Sequence, residues 1–202
     1  MQNHLIIFIK NPVLGTVKTR LAKSIGDKAA LNVYRDLMQK CQLESLSTNA
    51  IRHLFYSKQI IENDDWSNIE FEKKLQVEGG LGIKISEAFK LIFSKEAKVI
   101  VIGSDCYDLS ADMMEDAFKK LDDSDLVIGP ANDGGYYLLG TKKIYPSLFE
   151  GINWSTETVL EETLDQASKL NLSVAILEEL VDLDTLEDLK KSGYQLKEIE
   201  KK

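Results

Sequence analysis

Lys10, Lys18 and Arg20 fall within eleven residues of the segment KNPVLGTVKTRL, which brings several positive charges within reach of one anionic ligand. Lysine supplies a point charge and arginine a planar fork, so the mixture suits the oxygens of a diphosphate. Gly15, in the same loop, lets backbone come close to a ligand. The loop has neither the GxxxxGK[ST] nor the GxGxxG pattern. Lys18 and Arg20 as plain surface charges beside a helix start is the competing reading.

An acidic counterpart follows four consecutive apolar residues at 99–102, in the stretch VIGSDCYDL. Hard divalent cations such as Mg²⁺ or Mn²⁺ take carboxylate oxygens and complete their shells with water and substrate phosphates, so one or two aspartates suffice. Asp105 is the first candidate ligand. Asp108 is a candidate second ligand or supporting group, and equally a cap, with Ser110, for a helix starting near Ala111. Cys106 beside Asp105 has no partnering histidine, which favours a buried structural thiol over a nucleophile. His4 and His53 fit structural roles.

Three later segments add candidates. In GPANDGGYYLLG, Asp133 is a candidate general base or sugar-hydroxyl ligand, Gly134 and Gly135 leave room for a ligand, and an ordinary Asp-Gly turn explains the same residues. Tyr136 and Tyr137 point to opposite faces of a strand. In INWSTETVLEET, Ser155 or Thr156 caps a long helix or meets an anion at its start, with Trp154 as a flat platform for a sugar ring. In LVDLDTLEDL, Asp184 and Glu187 have capping-box spacing, whereas Asp182 precedes the cap and has no such explanation.

The elements that must position these residues alternate. Apolar, β-branched runs at 5–9, 51–56, 99–102, 126–128, 136–139 and 174–177 read as strands. Helical spacing marks 28–46, 83–93, 111–121, 156–170 and 186–191, and the stretches 62–68 and 79–82 read as surface loops. Such alternation predicts an α/β fold with a mostly parallel sheet covered on both faces, and ligands at the carboxyl ends of its strands. The candidates fall in the loops after those runs. At 202 residues the chain is expected to form one domain, 1–202. A net charge of −8 argues against nucleic acid as partner, and no apolar run is long enough for a membrane span. Two widely spaced cysteines fit a reducing, cytoplasmic setting. The charge run at 197–202 reads as a solvated tail.

Taken together, FIKNPVLGTVKTRLA, VIGSDCYDL, GPANDGGYYLLG, INWSTETVLEET and VDLDTLEDL resemble bacterial nucleotide-diphospho-sugar transferases of the arsenosugar-type glycosyltransferase and domain-of-unknown-function group. A more distant similarity is to phospholactate guanylyltransferases and molybdenum-cofactor nucleotidyltransferases. The resemblance implies a three-layer α/β/α, GT-A-like fold. It also implies phosphate contacts at Gly15, Lys18 and Arg20, a metal on Asp105, and Asp184 as a late carboxylate completing the metal site. The chain departs from a D-x-D, because Asp105 and Asp108 are separated by Cys106 and Tyr107.

The leading expectation is metal-dependent glycosyl transfer from a nucleotide sugar. In it Lys18 and Arg20 neutralise the leaving diphosphate together with Mg²⁺ or Mn²⁺ on Asp105, while Asp133 and 154–158 face the acceptor. The alternative is nucleotidyl transfer, guanylyl- or cytidylyl-type, to a small phosphorylated acceptor. A third reading is a nucleotide-binding domain without catalysis.

Overall fold

A computed structural model describes residues 1–93 and 96–195; the charge run at 197–202 lies outside them. Seven strands form one sheet in the order β3-β2-β1-β4-β6-β5-β7. They are β1 (Gln2–Ile9), β2 (Ile51–Tyr56), β3 (Phe71–Leu75), β4 (Ala97–Gly103), β5 (Leu126–Pro130), β6 (Tyr136–Thr141) and β7 (Val174–Ile176). All neighbours are parallel except β6, which runs antiparallel to both β4 and β5. The reversal comes from the turn at 131–135, where the Gly134 N–H donates to the Ala131 carbonyl at 3.1 Å. A strand that returns by so short a turn has to be antiparallel to its predecessor.

Helices cover both faces, as the alternation predicts. β4 is apolar from Val99 to Ile102, and its two faces feed different cores. Ile100 and Ile102 meet Tyr34 and Met38 of α2 (Asp27–Ser47) and Met114 and Phe118 of α4 (Ala111–Lys120). Val99 and Val101 meet Ile85 and Phe89 of α3 (Leu81–Ile92) and Leu160 and Leu164 of α5 (Val159–Lys169). Burial on both sides explains why β4 reads as a continuous apolar run rather than an alternation.

Two elements escape the sequence patterns. Helix α1 (Thr19–Ile25) is only seven residues long, and Gly26 at φ 84 separates it from α2. Strand β3 reads FEKKL and sits at the sheet edge, where only Phe71 is buried. α5 starts at Val159, three residues after the expected start. The last helix, α6 (Leu186–Lys191), has the expected bounds, but its capping box joins Thr185 and Asp188, one residue later than the Asp184 to Glu187 spacing suggests.

Candidate functional site

The carboxyl ends of β1, β2 and β4 open onto a cleft of about 330 Å³, walled by Phe8, Ile85 and Val101 and edged by Lys10, Lys84, Asp105 and Asp182. That volume lies in the range of small-molecule sites. Its floor is braced by Tyr34, buried in α2, whose hydroxyl accepts from the Lys10 N–H at 2.8 Å and donates to the Lys10 carbonyl at 3.0 Å. The first loop is tied to the loop after β2 by Asn11. The Asn11 Oδ1 accepts from the backbone N–H groups of Lys58 and Gln59 at 3.0 and 3.3 Å, while Nδ2 donates to the Gln59 carbonyl at 2.8 Å. Asn11 is buried and fully engaged, so it holds the loop rather than a ligand.

Lys18 is the centre of the charged end. It caps α1 in the left-handed region at φ 48, an unfavourable conformation for a residue with a Cβ. Its ammonium lies 2.5 Å from Asp105 Oδ1 and 3.1 Å from Asp184 Oδ1, and its side chain is almost fully buried. Burial pulls its pKa down, but the Asp105 and Asp184 charges outweigh this and hold it above the ordinary lysine range. The carboxylates meet because segment 180–184 crosses the strand ends. The Leu180 N–H donates to Pro130 O at 3.0 Å, the Asp182 N–H to Asn132 Oδ1 at 3.1 Å, and the Leu183 N–H to Asp105 O at 3.1 Å. With the cap placed on Thr185, the Asp184 carboxylate is free to face Lys18.

Asp182 sits behind this pair. Burial first, then the Asp105 charge, raise its carboxyl to about 7, and the Cys106 thiol donates to it at 2.8 Å. Burial and the Asp182 carboxylate push the Cys106 thiol far above its ordinary range, which argues against a thiolate nucleophile.

The predicted residues divide in the structure. Lys18, Asp105 and Asp184 come together. Lys10 lines the cleft, and Arg20 on α1 is exposed; neither makes an ion pair among the described residues. Gly15, at φ 75, is the turn of the first loop. Asp108 does not join Asp105: it accepts from the Gly193 N–H at 3.3 and 3.4 Å, so the set Asp105, Asp108 and Asp184 is not assembled. Ser110, not Asp108, caps α4.

Asp133 is exposed and accepts from the Gly135 N–H at 2.9 Å, which is the ordinary turn reading. Gly134, at φ 86, lies where a Cβ would come 2.0 Å from the Glu157 carbonyl oxygen. The glycine is therefore required by the docking of α5, whose Leu160 N–H donates to Gly134 O at 2.9 Å. Trp154 is no open platform. It stacks on Phe149, meets Tyr136 edge-on, and lies against Gly82, where a Cβ would come 2.4 Å from the indole. Ser155 takes φ 66 and Thr156 donates to Asn153 O, and neither caps α5, whose N-cap is Thr158. None of Trp154, Ser155 and Thr156 lines the cleft.

Sequence reasoning missed Asn11, Tyr34, Gln76 and Lys84. Asn11 stands in the Asn-Pro pair after β1, a visible signal. Tyr34 looks like any other residue of the apolar stripe of α2, and Gln76 follows a strand that the pattern did not mark.

Among the described residues no three His, Cys, Asp or Glu side chains converge as a metal site. Two do converge on one cation position, now held by the Lys18 ammonium. Paired carboxylates with water and phosphate oxygens as remaining ligands satisfy Mg²⁺ or Mn²⁺, so the donor set fits such an ion.

The fold has known relatives. A provisionally described nucleotide-diphospho-sugar transferase from Desulfovibrio desulfuricans G20 superposes with a TM-score of 0.84 at 30% identity, over 94% of this chain and 85% of that one. A 2-phospho-L-lactate guanylyltransferase of Methanocaldococcus jannaschii is 27% identical over 188 residues, covering 87% of this chain and 76% of its own length. The inositol-1-phosphate CTP transferase of T. maritima shares the fold, with a TM-score of 0.58 at 14% identity over 93% of this chain and 91% of that one. No helix among the described residues is long and apolar enough to cross a membrane. The family described as "uncharacterized protein conserved in bacteria (DUF2064)" matches residues 42–156, more than half of the chain, and the chain belongs to that family.

Proposed function

We propose that the chain is a single-domain, cytoplasmic nucleotidyltransferase that moves a nucleoside monophosphate from a nucleoside triphosphate onto a small phosphorylated acceptor, with release of pyrophosphate. The observation that carries this reading is the meeting of Lys18 from the first loop with Asp184 and with Asp105, which itself lines a nucleoside-sized cleft. Similarity to guanylyltransferases over most of the chain supports it. Glycosyl transfer, the expectation from the sequence, set Asp133 and 154–158 toward an acceptor, whereas Asp133 is engaged in its own turn and Trp154 is packed against other aromatics.

In this reading an oxygen of the acceptor phosphate forms a bond to the α-phosphorus, and the bond from that phosphorus to the β-phosphate oxygen breaks. A phosphate acceptor arrives already anionic, so no general base is needed and Asp133 is left to its turn. Lys10, Arg20 and Lys84 bring positive charge to a triphosphate on a chain whose net charge is −8. Asp105 and Asp184 would hold Mg²⁺ or Mn²⁺, which neutralises phosphate charge when bound. Lys18, the buried cation already beside that pair, would add positive charge next to the ion's phosphate ligands.

The test is incubation with the four nucleoside triphosphates, Mg²⁺ or Mn²⁺ and a panel of small phosphorylated acids and alcohols. Acceptor-dependent pyrophosphate release is expected. Release of nucleoside diphosphate from nucleotide sugars, with no pyrophosphate from triphosphates, would overturn the proposal in favour of glycosyl transfer.

A further inference from the structure

We infer that Gln76 selects the nucleobase, by presenting a fixed hydrogen-bond acceptor to the amino group of guanine or cytosine; this rests on the nucleotidyltransferase reading above. Gln76 follows β3, and its backbone N–H donates to Tyr56 O at 2.9 Å, extending the ladder by one rung. Its side chain then reaches back over the ends of two strands. Nε2 donates to Phe55 O at 3.0 Å and to Ile9 O at 3.3 Å. Both partners are carbonyl oxygens, so only the NH₂ side of the amide can face them and the O/N assignment is unambiguous. Oε1 is thereby held in one direction, and no donor among the described residues reaches it.

The surroundings say what this acceptor meets. Gln76 lines the cleft together with Phe8, Leu81, Ile85 and Val101, an apolar neighbourhood suited to the faces of a flat ring. Ser57 Oγ is engaged with Asn11, and Ser104 Oγ with Tyr34. Gln76 Oε1 is a neutral amide acceptor of the cleft lining that no donor among the described residues engages. A neutral acceptor beside apolar walls favours an uncharged N–H edge over an ammonium, which would seek a carboxylate. Asp105 lies just past β4 and the Gln76 amide lies over the ends of β1 and β2. Both line one cleft, with β1 lying between β2 and β4, so a ligand in that cleft can meet Gln76 and Asp105 with different parts.

The experiment is titration calorimetry with Mn²⁺ and GTP, ITP, CTP, UTP, 2′-deoxy-GTP and inorganic tripolyphosphate. ITP differs from GTP by the missing amino group. Wild type is expected to prefer GTP over ITP, or CTP over UTP, by roughly tenfold, the worth of one hydrogen bond that leaves a partner unmet when lost. Gln76→Met is expected to bring that ratio to about one without altering tripolyphosphate affinity. Because Gln76→Met also strands two carbonyls, Gln76→Lys is the second variant: its ammonium still donates to both but offers no acceptor. A ratio that survives in either folded variant overturns the inference. So does a wild type that ignores the amino group in both pairs, or a Gln76-dependent preference for GTP over 2′-deoxy-GTP, which would assign Oε1 to the ribose. Binding of triphosphates with no base preference sinks this inference alone, whereas no triphosphate binding at all sinks the nucleotidyltransferase reading with it.

Discussion

Replacing Lys18 by glutamine probes the centre of the site most directly. The ammonium touches Asp105 and Asp184 at 2.5 and 3.1 Å. At an effective dielectric of about 20, each contact is worth roughly 5–7 kcal/mol of Coulomb energy before desolvation. Taking a lysine out of water offsets several kcal/mol of this. Breaking a fully buried pair costs about 3–5 kcal/mol, but the two carboxylates keep 33% and 46% of their side-chain exposure, and solvent screening reduces the net cost to about 2–3 kcal/mol. For a chain of this size that is a fall in Tm of roughly 5–10 °C.

The same number sets the metal prediction. On the proposed reading a divalent ion would have to displace the ammonium from between the carboxylates in wild type, whereas Lys18→Gln would leave the position open. Mn²⁺ is therefore expected to bind the variant roughly 30- to 150-fold more tightly, the factor equivalent to 2–3 kcal/mol. Calorimetry reads the affinity, and Mn²⁺-dependent thermal shift gives a second readout, larger in the variant than in wild type. Nucleotidyl transfer should fall despite the tighter metal. Arg20→Gln is the control, since it removes a nearby positive charge that touches neither aspartate. Equal Mn²⁺ affinity in wild type and Lys18→Gln, or an equal gain in Arg20→Gln, would refute the idea that Lys18 occupies the metal position.

Tyr34→Phe removes both hydrogen bonds to the Lys10 backbone and leaves that N–H unmet, so a loss of about 1–3 kcal/mol is expected in urea unfolding, with weakened nucleotide binding. Gly134→Ala must strain a φ of 86 and push the Glu157 backbone away, which should cost roughly 2–4 kcal/mol and raise hydrogen exchange at the start of α5. A Tm within 2 °C of wild type would disprove the close packing. His53, buried between His4 and Glu72, has its pKa lowered to about 4, mainly by burial. Its folded value lies below the unfolded 6.5, so its stabilisation is complete above pH 6.5 and is lost as pH falls from 6.5 toward 4, by at most about 3 kcal/mol. His53→Gln should flatten the Tm profile across that window.

Much of the fold was legible because the sheet is buried on both faces. Residues 99–102 are apolar whichever way they point, so β4 shows as a run, and the stripe of α2 is long enough to repeat. Elements with little to bury leave little pattern, which is why FEKKL at the edge was invisible although it carries Gln76 into the cleft. Short α1 failed for a related reason: two turns do not establish a period. Asp105 was legible, since a carboxylate directly after a buried strand has few structural reasons to be there.

Its partner was harder to read, and the difficulty has a physical cause. Spacing offered Asp184 as a helix cap while the resemblance offered it as a late carboxylate, and Asp108 stood open between a supporting role beside Asp105 and a cap. In the structure Thr185 takes the cap, Asp108 ties down the Gly193 backbone, and Asp184 turns to Lys18. Capping is a local property, decided within four residues, and a one-residue shift among Asp184, Thr185, Glu187 and Asp188 is within the degeneracy of the motif. Which acid is left over is decided by a contact across 166 residues, made when segment 180–184 pairs with the end of β4. The charge balance follows from that pairing. Asp105 and Asp184, with Asp182 behind them, gather where Lys18 of the first loop arrives, and Lys18 is buried beside them in a backbone conformation it would not adopt alone. Strain and like charges held together by the fold mark this end of the cleft, rather than the aromatic segment at 154–158, as the place where phosphate chemistry is to be sought.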